Sequence, residues 1–321
     1  MKLFISKIYV SIFRFLPYEL NHFLAKLFKK FHNLHIDSSY QNDFLCHLSI
    51  LNIKFKLWLL GKDAQAQSVY RKLHKTNSIY EYQLIRILND IIETNRFKTF
   101  LDIGAFMGYF ACFIGKKNND LQVHAIESNS NYSEFIKRSL NENKLENVKV
   151  HNEILSNNEK KMFFHKEGVY SENKLNQFQN KTSTTLDNLC KKNRINPEVI
   201  KIDVHGAEGL VLRGSISILK NNCKIILLEL HSDEYLNKFS QGDTRASIIK
   251  ILLENDYSCL LVSSFRDDNI QNKKISNKPI KKINIDTNNL DQILFDRNKS
   301  DQLIIAHHKE IDLKEFNCFN K

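Results

Sequence analysis

Short apolar runs alternate with amphipathic segments along the chain from Thr99 onward. Runs of four to seven apolar residues bounded by polar ones are typical of buried strands, whereas apolar positions three and four apart indicate helices. The runs predict strands at 99–103, 121–126, 148–153, 199–204, 224–230, 257–263 and 302–307. The segments between them predict helices at 109–116, 133–143, 186–192, from about 205 to 219, and 244–255. Strands that alternate with helices favour an α/β fold, with a mostly parallel sheet covered by helices on both faces.

The pattern ahead of Thr99 is different. Residues 49–60 alternate around two lysines and contain the only tryptophan, Trp58, which is typical of a strand or a hairpin arm. Residues 68–95 keep an apolar stripe with helical spacing and predict a helix that covers the sheet. Near the other end, the polar segment 265–294 predicts a long insertion between the last two strands.

Residues 1–35 are rich in Phe, Leu and Ile with interleaved lysines and arginines. Charges interrupt every apolar stretch, which argues against both a secretory signal and a membrane span. Two interpretations remain open. The segment forms amphipathic helices that pack on the domain or on a partner subunit, or it forms an interfacial helix on an anionic membrane. We expect residues 1–65 to be a basic, aromatic-rich, partly helical extension of a main domain at 66–321.

Charge and cysteine usage narrow the partners and the compartment. The net charge is +11, but residues 1–100 carry 15 Lys or Arg against 7 Asp or Glu, whereas residues 101–200 carry 14 against 12. A main domain so close to neutral argues against a nucleic-acid groove, so we expect no nucleic-acid partner. The six cysteines show no metal-binding or disulfide spacing, which favours a reducing, cytoplasmic compartment. Any contact with the inner face of a membrane would be made through residues 1–35.

The segment Phe100–Gly115 joins the first predicted strand of the sheet to a helix through a turn with two glycines, Gly104 and Gly108. Such a turn forms a nucleotide-sized pocket at the carboxyl edge of an α/β sheet. Its spacing, D-x-G-x-x-x-G from Asp102, lacks the second close glycine that a dinucleotide needs. The turn therefore favours S-adenosylmethionine over a dinucleotide as the ligand.

Acidic residues recur where the predicted strands end. They are Asp102, Glu127, Glu153, Asp203 and Glu229. The carboxyl ends of parallel strands meet at one edge of a sheet, so these carboxylates should face one cleft. Glu127 follows the second strand, where an acid can accept both ribose hydroxyls of a bound nucleoside. Alone it would be an ordinary turn acid, but together with the glycine turn it indicates a cofactor site.

Three stretches resemble the FkbM family of S-adenosylmethionine-dependent methyltransferases. They are D-I-G-A-F-M-G-Y-F-A at 102–111, T-L-D-N-L at 185–189 and I-K-I-D-V-H-G-A-E-G-L-V-L-R-G at 200–214. The resemblance spans about residues 80–262. It implies a Rossmann-like class I fold with seven strands, and transfer of a methyl group to a hydroxyl of a sugar, a glycan or another natural product.

The resemblance also implies roles for individual residues. Its cofactor site would comprise Asp102, Gly104, Ala105, Phe106 and Gly108 of the turn, together with Glu127, Glu153 and Asp203. Asp203 would lie near the reacting methyl group. Two positions depart from the family: Asn is common where this chain has Phe106, and Glu where it has His205. The first departure removes one hydrogen bond from the turn.

His205 is the first candidate for the base that takes the proton of an acceptor hydroxyl, with Asp203 holding or orienting it. The simpler alternative makes His205 a residue of the loop or of the helix start, and Glu208 an acid in the first turn of that helix. His231 follows Glu229 on the neighbouring strand. Asp203, His205, Glu229 and His231 would also suit a divalent metal, but their D-x-H and E-x-H spacings are common by chance, so we assign no metal ligand.

The chain lacks the motifs of two other classes of enzyme. A dehydrogenase would show a third glycine where Phe110 and Ala111 stand, and methylation of nucleic-acid bases would show N-P-P, D-P-P or Pro-Cys motifs that the chain lacks. A catalytically inactive methyltransferase-like module that docks on a membrane or a partner is the main alternative, and Phe106 keeps it open. The sequence indicates neither the acceptor nor the oligomeric state.

Overall fold

A computed structural model describes residues 43–61, 63, 79–165, 168–170, 180–240, 242–262, 279–290 and 301–320. The predicted helices of residues 1–35 lie outside the described residues, so their contact with a membrane or a partner stays a prediction. The same holds for residues 68–78 of one predicted helix and for most of the predicted insertion.

The centre of the molecule is an eight-stranded sheet, in the order β12-β11-β13-β10-β9-β3-β4-β5. Five neighbouring strands, from β10 to β5, run parallel, and β13 lies antiparallel between β10 and β11. The strands are β3 (Thr99–Ile103), β4 (Gln122–Ile126), β5 (Val148–His151), β9 (Val199–Ile202), β10 (Ile225–Leu230), β11 (Tyr257–Val262), β12 (Lys282–Ile285) and β13 (Gln302–His308). The predicted α/β sheet is confirmed.

The sheet has one strand more than the predicted seven. β12 lies within the segment predicted to be a polar insertion, and it pairs with β11 at the edge of the sheet. Only its last residue, Ile285, is buried, so the strand lacks the apolar run that marks the interior strands. An edge strand needs few buried side chains, and its sequence therefore resembles a loop.

Eight helices surround the sheet within the described residues. They are α1 (Tyr82–Glu93), α2 (Tyr109–Lys117), α3 (Ser130–Asn143), α4 (Leu186–Asn193), α5 (Glu208–Arg213), α6 (Ile216–Asn221), α7 (Asp233–Phe239) and α8 (Arg245–Leu253). One apolar core lies between the sheet and α1–α3, and a second lies on the side of α4–α8. This arrangement confirms the helices on both faces.

The helix predicted to end at Leu219 is two helices, because α5 ends at Arg213 and α6 begins at Ile216, with Gly214 and Ser215 between them. A Cβ on Gly214 would lie 2.2 Å from the backbone oxygen of Ser156, so the chain approaches a neighbouring loop closely at this break. The short helix α7 was not predicted. Its seven residues bury only Leu236 and Phe239, which is too little to produce a helical stripe.

Residues 44–59 form a hairpin, with β1 (Phe44–Ile50) paired antiparallel to β2 (Ile53–Leu59), and β2 lies within the strand or hairpin arm predicted at 49–60. Its turn residues, Leu51 and Asn52, both have positive φ, as a two-residue hairpin turn of type I′ requires. The hairpin packs into the same apolar core as α2 and α3.

A small three-stranded sheet, in the order β7-β6-β8, stands apart from the central one. Its strands are β6 (Lys161–His165), β7 (Gly168–Tyr170) and β8 (Asn180–Thr182). Among the described residues, no helix is both long and apolar enough to cross a membrane.

Candidate functional site

The glycine turn lies between β3 and α2, where the sequence places it. Gly104 and Gly108 have φ values of 76° and 81°, in the left-handed region that favours glycine. The N–H groups of Gly104 and Ala105 both donate to the backbone oxygen of Ile126, at 3.0 and 3.2 Å. These two bonds join the turn to the end of β4, directly before Glu127, the next predicted site residue.

Phe106 also has a positive φ, of 49°, which is unusual for a bulky residue. Its backbone N–H donates to Oε2 of Glu127 at 2.8 Å, and its ring meets the ring of Tyr132 edge-on, with centroids 4.7 Å apart. The turn at Phe106 is thus held by a backbone hydrogen bond and a ring contact, neither of which needs an asparagine side chain.

Glu127 is buried at the end of β4, and its carboxylate accepts two backbone N–H groups. Phe106 donates to Oε2, and Asn129 donates to Oε1 at 2.8 Å. Burial raises the pKa of Glu127 to about 7, although these hydrogen bonds favour the charged form and oppose the rise. The carboxylate lies beside the glycine turn, as the sequence predicts for a ribose-binding acid.

Asn152, which the sequence analysis missed, fixes the loop that follows Glu127. Its side-chain amide donates to the backbone oxygens of Glu127 and Ser128, at 2.8 and 3.1 Å, and to Oγ of Ser133 at 2.9 Å. Asn152 falls inside the third predicted strand, 148–153, whereas the observed strand ends at His151, so an asparagine near a strand end was the available signal. Asparagine is abundant in this chain, so the signal does not stand out.

Lys201 is a second residue that the sequence analysis missed. It is 2% exposed, and its Nζ lies 3.4 Å from Oδ1 of Asp102, 3.6 Å from Oδ2 of Asp203 and 5.0 Å from the ring centre of Phe110. Asp102 and Lys201 are direct partners in the pairing of β3 with β9. A lysine inside the apolar run V-I-K-I was the signal for a buried charge.

Burial and pairing act in opposite directions on these groups. Burial raises the pKa of Asp102 above its ordinary value, and the ammonium of Lys201 opposes that rise. Burial also works against the charge of Lys201, but Asp102, Asp203, Glu81 and Glu229 outweigh it and raise the pKa of the lysine. Lys201 is therefore a charged ammonium that lies between Asp102, at the start of the glycine turn, and Asp203.

Asp203 follows β9, and its Oδ1 lies at equal distances from two histidines. Nδ1 of His205 and Nε2 of His231 each lie 3.9 Å from this oxygen, and the two rings have centroids 4.9 Å apart. The His205 side chain is 53% exposed, whereas that of His231 is 5% exposed. The structure therefore brings Asp203, His205 and His231 together, with His205 on the solvent side.

Glu208 is fully buried and holds His231. Its Oε1 lies 2.8 Å from Nδ1 of His231 and accepts the N–H of Gly206 at 3.1 Å. Burial lowers the pKa of His231, but the carboxylates of Glu208, Asp203 and Glu229 outweigh burial and raise it to about 10. Glu208 does lie in the first turn of α5, as predicted, but its main contact is with the histidine.

Two other predicted residues belong to different groups of side chains. Glu229 is buried in β10 and groups with His231 and Asp301 rather than with His205. Glu153 is half-buried and lines a separate polar cleft of about 610 Å³, together with residues such as Thr182, Asn188 and Lys192. The role of Glu153 in cofactor binding stays a prediction.

A family model described as the Methyltransferase FkbM domain matches residues 102–259. No curated protein matches the chain.

Three solved structures illustrate the structural likeness. The FkbM methyltransferase of Methylobacillus flagellatus KT is 15% identical, with 66% of this chain and 44% of that one covered and a TM-score of 0.38. The precorrin-6y C5,15-methyltransferase of Geobacter metallireducens GS-15 is 16% identical, with 71% and 86% covered and a TM-score of 0.37. An O-methyltransferase from a multienzyme of Brevibacillus brevis, in complex with S-adenosyl-L-homocysteine, is 10% identical, with 80% and 82% covered and a TM-score of 0.40. These TM-scores are below 0.5, so the assignment of a family to residues 102–259 rests on the family model.

Proposed function

Because residues 102–259 of this chain are an FkbM methyltransferase domain, we propose that this S-adenosylmethionine-dependent methyltransferase acts on a hydroxyl group. The acceptor class that we propose is a hydroxyl of a sugar, a glycan or another natural product. One observation carries the proposal. The glycine turn and a buried acid suited to bind ribose lie at the same edge of the sheet as an aspartate and an exposed histidine.

The described residues fit the cofactor. The turn after β3 has glycines with positive φ at Gly104 and Gly108, where the lack of a side chain allows close approach of a ligand, and the Glu127 carboxylate lies beside that turn. Asp203, whose side chain is 19% exposed, places a carboxylate at the same edge, which suits a sulfonium cation. S-adenosylmethionine would supply an electrophilic methyl group there.

Methylation of oxygen requires the protein to orient a hydroxyl and to remove its proton as the new bond forms. We propose that His205 takes this proton, because its ring is exposed at the cluster while Asp203 lies 3.9 Å from Nδ1. His231 is a poor candidate for the base, because its side chain is only 5% exposed and Oε1 of Glu208 lies 2.8 Å from its Nδ1.

Titration calorimetry with S-adenosylmethionine tests the cofactor site. We expect Glu127→Gln and Asp102→Asn to weaken binding at least tenfold. Glu134→Gln is the matched control, since its side chain is 62% exposed on α3, and it should bind like the unchanged protein. Absence of binding by the unchanged protein would contradict the proposal and favour an inactive binding module.

The acceptor class is tested with S-adenosylmethionine that carries a tritiated methyl group. The protein is incubated with mixtures of neutral sugars, of phenols and of amines, and the label in each product is measured. We expect label in hydroxyl acceptors, as ethers that resist mild alkali. Labelling of amines alone would contradict methylation of oxygen.

A further inference from the structure

Asp203, His205 and His231 bring three possible metal ligands together. Both histidine nitrogens lie 3.9 Å from Oδ1 of Asp203, beyond the reach of a hydrogen bond. Two atoms that each lie about 2.1 Å from one metal ion are separated by about 3–4 Å. One donor atom from each of the three residues lies within 4.8 Å of the others.

Each donor is also directed toward the shared space. Glu208 occupies Nδ1 of His231 at 2.8 Å and so leaves Nε2 to face Asp203. A carboxylate on the far nitrogen is the usual support of a metal-binding histidine, because it fixes the ring and raises its basicity. Lys201 lies nearer Oδ2 of Asp203, which leaves Oδ1 on the side of the histidines.

We propose that Asp203 Oδ1, His205 Nδ1 and His231 Nε2 bind a divalent transition-metal cation. Two imidazoles and one carboxylate with open positions suit Zn²⁺, Mn²⁺, Co²⁺ or Fe²⁺ better than Mg²⁺ or Ca²⁺, which prefer oxygen ligands alone. The buried carboxylates of Glu208 and Glu229 add negative charge around the site. Glu229 belongs to this outer environment and is not a ligand.

The role of this cation in catalysis rests on the proposed methyl transfer to a hydroxyl. An open position on the metal would take the oxygen of the acceptor hydroxyl and lower the pKa of that hydroxyl. Its proton then passes to solvent water, and the electron pair that stays on oxygen forms the new bond to the methyl carbon. The carbon–sulfur bond breaks, and its electron pair leaves with sulfur. With the cation bound, His205 is therefore a ligand, and it acts as the base only in the metal-free protein.

Titration with Co²⁺ tests the site on the full chain after chelator treatment and removal of the chelator. We expect one equivalent of Co²⁺ to bind, with visible absorption bands of a nitrogen- and oxygen-ligated ion, and Zn²⁺ to displace it. Asp203→Asn and His205→Gln should weaken binding at least tenfold, and Glu208→Gln by about 10–100-fold as a lost support of a metal-binding histidine. His47→Gln, an exposed histidine on the hairpin, should bind like the unchanged protein.

His205→Gln decides the test if the buried variants fail to fold, because the His205 side chain is 53% exposed. No saturable binding, or equal binding by the unchanged protein and His205→Gln, would overturn the site. Calorimetry with S-adenosylmethionine on the chelated protein separates the two proposals. Cofactor binding without Co²⁺ binding defeats only the cation site, whereas Co²⁺ binding without cofactor binding defeats the proposed function.

Discussion

The backbone oxygen of Asp203 lies 1.7 Å from the position that a Cβ on Gly104 would occupy. The glycine turn after β3 and the loop after β9 therefore lie in direct contact at Gly104, where the backbone of Asp203 leaves no room for a side chain. Any side chain at position 104 would push Asp203 away, so the glycine couples the two halves of the proposed active site.

We predict that Gly104→Ala destabilises the protein strongly and removes cofactor binding. Ala in the left-handed region costs about 1–2 kcal/mol, and the forced backbone shift adds about 1–3 kcal/mol. Gly242→Ala is the matched control, because Gly242 also has a positive φ, of 93°, but its nearest neighbour is 3.9 Å away. Urea unfolding measures both variants, and equal losses would contradict the steric argument.

Lys201 leads to a second prediction, on stability. Lys201→Met removes the cation between Asp102 and Asp203, and loss of one partner of a buried ion pair costs about 3–5 kcal/mol. The double variant with Asp102→Asn should lose less than the sum of the two single variants, because the carboxylate that Lys201→Met leaves unpaired is then replaced by a neutral amide. Denaturant unfolding of the three variants measures this coupling.

The surface pair of Lys56 and Glu142 provides the control for Lys201. These side chains are 39% and 32% exposed, and their ion pair should contribute only about 0–1 kcal/mol. A loss in Lys56→Met that matched the loss in Lys201→Met would show that burial does not govern the effect.

The sequence predicted most of the sheet because its interior strands are short apolar runs with sharp ends. The strand Thr99–Ile103 was predicted to the residue, and the glycine turn after it was found in place. The edge strand β12 and the short helix α7 were missed because they bury few side chains.

The contacts within the site could not be predicted in the same way. Lys201 meets Asp102 because of the register of β3 with β9, across about a hundred residues of sequence. Glu208 meets His231 because α5 begins beside the end of β10, which depends on packing rather than on a local pattern. Sequence placed the polar residues at one edge, but pairing and burial decide which of them touch.

The hairpin leads to a third prediction, on local stability. The side chain of Asn143 accepts the N–H of Lys56 at 2.8 Å and donates to its backbone oxygen at 2.6 Å, so one side chain on α3 serves both backbone groups of a β2 residue. Asn143→Ala leaves these groups without that partner and should cost about 1–3 kcal/mol. Amide hydrogen exchange should quicken in 53–59 while 99–103 stays protected.

Asn188→Ala is a control for the hairpin, since Asn188 is an exposed asparagine on α4. It should leave exchange in 53–59 unchanged. Equal exchange in Asn143→Ala and the unchanged protein would show that the apolar contacts of the hairpin, rather than Asn143, hold it on the domain.

The raised pKa of Glu127 predicts that cofactor affinity depends on pH. Burial raises this pKa to about 7, so roughly one carboxyl in ten is ionised at pH 6 and nine in ten at pH 8. Ribose hydroxyls donate best to the ionised form, so binding of S-adenosylmethionine should strengthen up to about tenfold over this range. Calorimetry at several pH values measures the change.

Glu127→Gln should bind more weakly and lose most of this pH dependence. The cofactor titrates identically against both proteins, so the difference between their profiles belongs to Glu127. Stability gives an independent check with the opposite sign. Because the folded-state pKa exceeds the ordinary 4.5, the unfolded chain releases this proton first, and stability should fall as pH rises from about 4.5 to about 7. If Glu127→Gln kept both trends unchanged, the groups that titrate would lie elsewhere in the protein.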